Sequence, residues 1–183
     1  MPYEIEYKYR ITNKDDFTSR LNELNISLLE FVYQEDIIFM HKNKCFNNLN
    51  EGEPIVRIRT DSNGISTNVK KYVQNCQVRQ EVECKIVDKD LFIEYLKLLG
   101  FSKLVVVKKH RAYTKLDGLT ITYDIVEQLG DFVEIEIVTD NHDISLSKTI
   151  ISNMGKKLGL DNKDIVNLPY DEMIYLKGLN KND

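Results

Sequence analysis

The sequence predicts an α+β fold in which eight antiparallel strands form a β-barrel around a polar tunnel, with helices packed on the outside. Three observations support this prediction. Apolar and charged residues alternate strictly in the stretch Tyr3–Arg10, written YEIEYKYR, which is typical of a strand. The Glu-x-Glu core of that stretch returns at residues 81–83 and 134–136, and each copy precedes a predicted helix. The strands also sort their charges onto one face.

Helix-start residues follow each Glu-x-Glu strand. Asn13 and Asp88 are suitable N-caps for the first two helices, and the acidic residues between positions 140 and 143 precede the third. Gly100 ends the second helix, and the third ends near Gly159. The apolar faces of the three helices consist of Phe17, Leu21 and Leu24; of Phe92, Leu96 and Leu99; and of Ile144, Ile151 and Leu158.

Five further stretches have strand character, which brings the predicted number of strands to eight. They lie near residues 32–40, 54–60, 65–73, 104–115 and 118–126. No linker or low-complexity run divides the chain, so we predict a single domain over residues 1–183.

The charged faces of these strands are expected to point into the barrel, because the amphipathic helices need the uncharged faces. Burying so many ions for stability alone is unfavourable, whereas a hydrated tunnel that binds a charged ligand and a cation removes that difficulty. The bases assigned to this face are Lys8, Arg10, Arg57, Arg59, Lys70, Arg79, Lys85, Lys109 and Arg111. The acids are Glu4, Glu6, Glu81, Glu83, Asp124, Glu134 and Glu136.

Composition limits the class of protein. The 183 residues carry a net charge of −4, which argues against general nucleic-acid binding. No apolar run is long enough to cross a bilayer, and the N-terminus lacks the apolar region of a signal peptide. The odd set of Cys45, Cys76 and Cys84 lacks zinc-site spacing and indicates reduced thiols, so we expect a cytoplasmic protein.

These motifs resemble the CYTH family, also called triphosphate tunnel metalloenzymes, which joins class IV adenylyl cyclases with thiamine triphosphatases. The resemblance starts at the Glu-x-Glu-x-Lys motif of residues 4–8 and extends to at least residue 140. It includes Gln34, Asp36 and Phe39; Arg57-Ile58-Arg59; Lys70; Arg79 to Glu83; Lys109-His110-Arg111; Tyr123-Asp124; and Leu129 to Glu136. The segment Leu168 to Met173 is similar to the C-terminal helix of class IV cyclase-like members.

The resemblance and the charge types together imply a role for each residue. Carboxylates suit hard divalent cations such as Mg²⁺ or Mn²⁺, and Arg or Lys suits phosphate oxygens. The expected metal ligands are Glu4, Glu6, Glu134 and Glu136, with Asp124 as a further acid. The expected phosphate-binding residues are Arg57, Arg59, Lys70, Lys85, Lys109 and Arg111. Lys8 is the expected catalytic residue, which would hold the nucleophile or accept its proton.

Three functions are compatible with such a site. The expectation we favour is a class IV adenylyl cyclase-like enzyme that converts ATP to cyclic AMP and pyrophosphate. The alternative is a triphosphatase that hydrolyses thiamine triphosphate, inorganic tripolyphosphate or nucleoside triphosphates. A further alternative is a module that binds a phosphorylated ligand without turnover. The sequence does not set the oligomeric state, and a homodimer is compatible with it.

Two alternative interpretations concern the charged faces. The Glu-x-Glu strands could form the solvated face of an ordinary β-sandwich, a reading that the three repeats disfavour. Glu81 and Glu83 could orient neighbouring bases and not contact metal.

If the bases exist to bind phosphates, an empty site crowds positive charges together. Replacing Arg59 or Arg111 with Ala would then be expected to cost little stability.

Overall fold

The computed structural model describes residues 3–71, 81–139 and 144–179, and these residues form eight strands and four α-helices. The strands are β1 Tyr3–Arg10, β2 Val32–His41, β3 Pro54–Asp61, β4 Gly64–Lys71, β5 Glu81–Lys85, β6 Phe101–Leu116, β7 Leu119–Val126 and β8 Gly130–Thr139. The helices are α1 Lys14–Glu23, α2 Lys89–Leu98, α3 Ile144–Lys157 and α4 Tyr170–Leu179. Hydrogen-bonded neighbours follow the order β1-β8-β7-β6-β2-β3-β4-β5 in one sheet. The predicted α+β class with an eight-stranded antiparallel sheet is confirmed.

The chain divides into two compact units, each assembled from two stretches of sequence. The first unit contains Met1–Val32 and His110–Asn167, and the second contains Tyr33–Lys109 and Leu168–Asp183. Strand β6 therefore contributes its last residues to the first unit and its earlier residues to the second. The single domain and the closure of the sheet into a barrel both stay predictions.

In the first unit, the uncharged faces of β1, β7 and β8 pack against α1 and α3. Ile5, Ile121 and Ile135 have no exposed surface and belong to one apolar cluster with residues of both helices. Phe17 of α1 and Ile151 of α3 are buried members of that cluster. The alternation read from the sequence therefore identifies the face that the helices cover in this unit.

In the second unit, α2 covers the corresponding face of β2 and β3. Ile37, Phe39 and Ile58 form a buried cluster with Leu96 of the helix and Phe101 at the start of β6. Asp88 caps α2 by accepting a hydrogen bond from the backbone N–H of Leu91 at 3.0 Å, as the sequence predicts. Asn13 caps α1 in the same way, through the N–H of Asp16 at 3.1 Å.

The opposite face of β2 in the second unit is also partly apolar, which the alternation alone does not predict. Ile38 and Met40 are buried there together with Ile55 of β3 and Phe46. Tyr175 of α4 packs against this cluster. Helix α4 therefore lies on the side of the strands that carries the charged residues, so not every helix covers an uncharged face.

Several element boundaries differ from the prediction. Strand β6 starts at Phe101, earlier than the expected position near 104, because Gly100 adopts a left-handed φ of +86° that turns the chain directly from α2 into the strand. Strand β4 is described to Lys71. The predicted end of β4 at residues 72–73, the predicted roles of Cys76 and Arg79, and the acidic helix start at 140–143 lie outside the described residues. Within the described ranges, no helix has the length and apolar character needed to cross a membrane.

The packing of α3 on β1 depends on a residue without a side chain. A Cβ placed on Gly155 would lie 2.8 Å from Oη and 2.9 Å from Cζ of Tyr9, whose side chain is 1% exposed. Such distances are shorter than van der Waals contact, and the Tyr9 ring is surrounded by the first unit's core.

We predict that Gly155→Ala lowers the free energy of unfolding, because overpacking of about 1–3 kcal/mol outweighs the gain in helix propensity of about 1 kcal/mol. Gly178→Ala in α4 is the matched control, since no atom lies within 4 Å of the added Cβ. Urea denaturation of both variants would test this. A Gly155→Ala protein as stable as Gly178→Ala would contradict the proposed close contact.

Candidate functional site

The first unit contains an acid-rich group of side chains on β1, β6, β7 and β8, which we call the acidic cluster. Its members are Glu4, Glu6, Lys8, Arg111, Asp124, Glu134 and Glu136. Antiparallel pairing places Glu6 opposite Glu136 and Lys8 opposite Glu134. Because directly opposed residues in a sheet point to the same face, the register brings together acids that are 130 positions apart in sequence.

Arg111 connects three strands within the acidic cluster. Its Nε and Nη2 donate to the two carboxylate oxygens of Asp124, and Nη2 also donates to Glu134 Oε2 at 2.6 Å. Asp124 has no exposed surface. Both oxygens of Asp124 thus accept hydrogen bonds from the guanidinium of Arg111, which holds that arginine in place. The role of Asp124 as a further metal ligand stays a prediction.

Lys8 is buried beside the same carboxylates. Its Nζ lies 3.5 Å from Glu134 Oε1, and the side chain is 9% exposed. Glu134 therefore receives a lysine at one oxygen and an arginine at the other. The structure places Lys8, the predicted catalytic residue, beside Glu134, one of the predicted metal ligands.

Glu136 is in a different electrostatic environment. Burial raises the pKa of its carboxyl, and the negative charges of Glu4 and Glu134 raise it further, against a smaller opposing effect of Arg111 and Lys115. The charges of Glu4 and Glu134 thus both disfavour the ionised form of Glu136. A cation placed among them would relieve the repulsion.

The second unit contains a base-rich group, which we call the basic cluster. It consists of Arg57, Arg59, Lys70, Lys85 and Lys109 with the acid Asp36. Pairing places Arg59 opposite Asp36 on β2 and opposite Ser66 on β4. Lys85 of β5 also lies opposite Ser66, so it shares the face of Arg59, although its own side chain is exposed.

Asp36 is the acid that orders part of the basic cluster. Arg59 donates from Nε and Nη2 to the two oxygens of the Asp36 carboxylate, each at 2.7 Å. Burial by itself would raise the pKa of Asp36, but the hydrogen bonds and charge of Arg59, helped by Arg57 and Lys109, lower it overall. Asp36 belongs to the motifs noted in the sequence, yet period-two alternation gave no reason to assign it a role.

Helix α4 supplies two residues to the basic cluster that sequence reasoning missed. Lys70 Nζ lies 3.3 Å from Asp171 Oδ2, and both side chains are largely buried. Lys109 Nζ lies 5.2 Å from the centre of the Tyr170 ring, a cation–π contact. Asn68 is a further buried polar residue on β4, opposite Arg57 on one side and Glu83 on the other.

A family model supplies the decisive comparison. The CYTH domain model matches residues 2–168 of this chain. The chain belongs to the CYTH family. Among curated proteins, it is 28% identical over 175 residues to a Methanocaldococcus jannaschii protein named, provisionally, as an adenylate cyclase, covering 93% of this chain and 97% of that one. It is 26% identical to the adenylate cyclase CyaB of Aeromonas hydrophila, covering 92% and 86%.

Solved structures show the same fold. A conserved hypothetical protein of Pyrococcus furiosus has a TM-score of 0.76 and 31% identity, covering 92% of this chain and 98% of that one. A Hippeastrum protein, described as an adenylyl cyclase homologue with a dominant triphosphatase activity, has a TM-score of 0.65, with 97% and 96% coverage. Its identity of 16% supports likeness of fold alone.

The acidic cluster of this CYTH protein contains carboxylate oxygens, the donor atoms that a hard divalent cation prefers. Glu4, Glu134 and Glu136 offer carboxylate oxygens, and the charges of the first two disfavour ionisation of Glu136. Within the described residues, however, no three His, Cys, Asp or Glu side chains already stand in a metal-holding arrangement. The donors therefore fit Mg²⁺ or Mn²⁺ in kind, and binding would require them to move closer together.

The ion pairs that Arg59 and Arg111 form with buried aspartates reverse one expectation about the arginines of this CYTH domain. Replacing Arg59 or Arg111 was expected to relieve crowding of positive charge. In the structure each holds a buried aspartate through two hydrogen bonds, so removing the arginine leaves a buried carboxylate without its main partner.

We predict that Arg111→Ala lowers the free energy of unfolding by about 3 kcal/mol. The substitution leaves the buried carboxylate of Asp124 without its arginine, and breaking a buried ion pair has a cost of this size. Lys115→Ala is the matched control, because Lys115 is an exposed base on the same strand. Chemical denaturation gives both values. Equal stability of the two variants would mean that the Asp124 pair contributes nothing to folding.

The lowered pKa of Asp36 predicts a pH-dependent contribution to stability. A carboxyl with a depressed folded-state pKa stabilises the protein fully above its unfolded-state value of about 4, and loses that contribution as the pH falls through the folded-state value. The wild type should therefore exceed Asp36→Asn by a constant amount between about pH 5 and 7, and the difference should shrink below about pH 4. Thermal denaturation across this range would test it; a constant difference down to low pH would contradict the assignment.

Proposed function

We propose that this CYTH protein is a metal-dependent enzyme that acts on a triphosphate, with an adenylyl cyclase-like reaction as the favoured activity. The observation that carries the proposal is the sorting of charge into an acidic cluster around Lys8 and a basic cluster around Asp36. Membership of the CYTH family supports an enzyme of this kind. The names of the Methanocaldococcus and Aeromonas relatives support the cyclase label.

Metal binding belongs to the acidic cluster in this proposal. Glu4, Glu6, Glu134 and Glu136 would hold Mg²⁺ or Mn²⁺, with Asp124 acting through Arg111. The ion would neutralise negative charge on the phosphate oxygens. The closed barrel belongs to the same proposal, since a polar lumen would keep the charged faces hydrated.

Phosphate binding belongs to the basic cluster and to Arg111. Arg57, Arg59, Lys70 and Lys109 would each donate to phosphate oxygens, and Lys85 would do so from its exposed position on β5. Arginine pairs with phosphate through two parallel hydrogen bonds, and lysine acts as a compact charge. Lys8 would hold the nucleophile or accept its proton. Its place beside Glu134 supports this role.

In the favoured reaction, the ribose 3′-hydroxyl of ATP attacks the α-phosphorus. A bond forms between the 3′-oxygen and that phosphorus, the bond to the β-phosphate oxygen breaks, and cyclic AMP and pyrophosphate leave. In the second candidate, water attacks the terminal phosphorus, a bond forms between the water oxygen and that phosphorus, and the bond from that phosphorus to the bridging oxygen breaks, so that inorganic phosphate and the shortened phosphate chain are released. The Hippeastrum protein of the same fold, described by its triphosphatase activity, is the observation that favours this alternative.

A single assay separates these functions. Purified protein with Mg²⁺ or Mn²⁺ would be given ATP, inorganic tripolyphosphate or thiamine triphosphate, and the products resolved by chromatography. Cyclic AMP with pyrophosphate supports the cyclase, and inorganic phosphate supports the triphosphatase. Binding without turnover indicates the binding module. Neither binding nor turnover with any of the three ligands would overturn the proposal.

We predict that Glu136→Gln abolishes turnover that depends on the divalent ion, because it removes an anionic donor from the acidic cluster. The metal-free variant should be at least as stable as the wild type, since the substitution also removes repulsion from Glu4 and Glu134. Glu127→Gln, an exposed acid in the same unit, is the control with the same change of charge. Full metal-dependent activity in Glu136→Gln would show that this acid is not a ligand.

A further inference from the structure

The start of α4 contacts two of the proposed phosphate-binding lysines. Asp171 meets Lys70 of β4, and the neighbouring Tyr170 meets Lys109 of β6. Tyr170 and Asp171 are both buried, at 7% and 4% exposure. A carboxylate of the chain itself thus occupies the kind of position at Lys70 that a phosphate oxygen would take.

The contact between Asp171 and Lys70 is built differently from the other acid–base contact of the basic cluster. Asp36 receives two hydrogen bonds of 2.7 Å from one planar guanidinium. Asp171 gives only Oδ2 to Lys70, at 3.3 Å, and its Oδ1 accepts from the backbone N–H of Glu172 at 3.1 Å. A single contact to a flexible ammonium is exchanged more readily than a two-pronged arginine pair.

The rest of α4 is held in place independently of Asp171. Tyr175, one helical turn further on, packs against the cluster of Ile38, Met40 and Phe46, with its ring 5.7 Å from that of Phe46. Losing the Lys70 contact therefore does not require the helix to leave the strands.

We propose that Asp171 is an internal competitor for Lys70, which occupies the lysine in the ligand-free protein and yields it when a polyphosphate binds. The inference rests on the proposed function, in which Lys70 binds phosphate. Because the carboxylate belongs to the same chain, its effective concentration at Lys70 is high, on the order of millimolar or more. A ligand must outcompete it.

This competition makes Asp171 a residue that limits affinity. A tripolyphosphate carries several negative charges, and in the proposed function it is bound by Arg57, Arg59 and Lys109 as well as by Lys70. Inorganic phosphate also has to displace the carboxylate and bears the same cost, so its affinity is lowered by the same factor. Asp171 therefore raises the concentration that either ligand needs in order to bind.

The test is calorimetric titration of inorganic tripolyphosphate into the full chain, in EDTA to prevent turnover. Asp171→Asn keeps the shape of the side chain and can still accept from the Glu172 N–H; thermal denaturation would check that the variant folds without the carboxylate at Lys70. Its affinity for tripolyphosphate should rise roughly threefold to tenfold, the scale of one partly buried charge pair. Its affinity for inorganic phosphate should rise by the same factor, because both ligands displace the same carboxylate.

Two further variants identify the cause. Glu51→Gln removes an exposed acid from the same unit and should leave both affinities unchanged; an equal gain there would mean that net charge alone is responsible and would overturn the proposal. In a Lys70→Met background, Asp171→Asn should give no gain, because the contested lysine is gone. A gain of the same size in that background would also overturn it.

The outcomes separate this inference from the function on which it rests. If the wild type binds tripolyphosphate and Lys70→Met weakens binding, Lys70 is a phosphate ligand. Unchanged or weaker binding by Asp171→Asn would then overturn the competition alone. If the wild type fails to bind tripolyphosphate both in EDTA and with Mg²⁺, the phosphate-binding role fails, and the inference falls with it.

Discussion

Charged side chains that are buried on a sheet need partners, and this requirement governs the polar residues of both units. An unpaired buried ion costs several kcal/mol, so a carboxylate without exposed surface, such as Asp124, is stable only next to a cation. Arg111 fulfils that requirement from the adjacent strand β6, and Arg59 does the same for Asp36 across β2 and β3. The two planar pairs set the orientation of the guanidinium groups in each cluster.

This pairing has a consequence for ligand binding. An arginine held by a buried aspartate has already lost the side-chain freedom that ordering on a phosphate would otherwise cost, about 0.5–1.5 kcal/mol for a flexible side chain. Lys70 is placed by a looser contact, and Lys109 by an aromatic ring. The basic cluster therefore combines rigid and exchangeable bases, and the exchangeable ones are the two that α4 touches.

The two units also differ in the sign of the charge that they accumulate. In the first unit, the charges of Glu4 and Glu134 raise the pKa of Glu136 in spite of Arg111, so the acidic cluster favours a cation. In the second unit, the positive charges around Asp36 lower the pKa of its carboxyl, so the basic cluster favours an anion. The two clusters therefore favour ions of opposite charge.

The sequence by itself determined the strands, their charged faces and the starts of α1 and α2, because these depend on alternation and capping between residues close in the chain. The same local rules assigned Glu134 and Glu136 to the face opposite Val133 and Ile135. Only the tertiary structure decided which charges pair, since Lys70 meets Asp171 across 101 positions and Arg111 takes both oxygens of Asp124. It also placed α4 on the charged side of β2. Ile38 and Met40 make one end of that face apolar, and packing against α4 removes them from water. Periodicity within one strand carries no information about a partner that arrives from a distant segment.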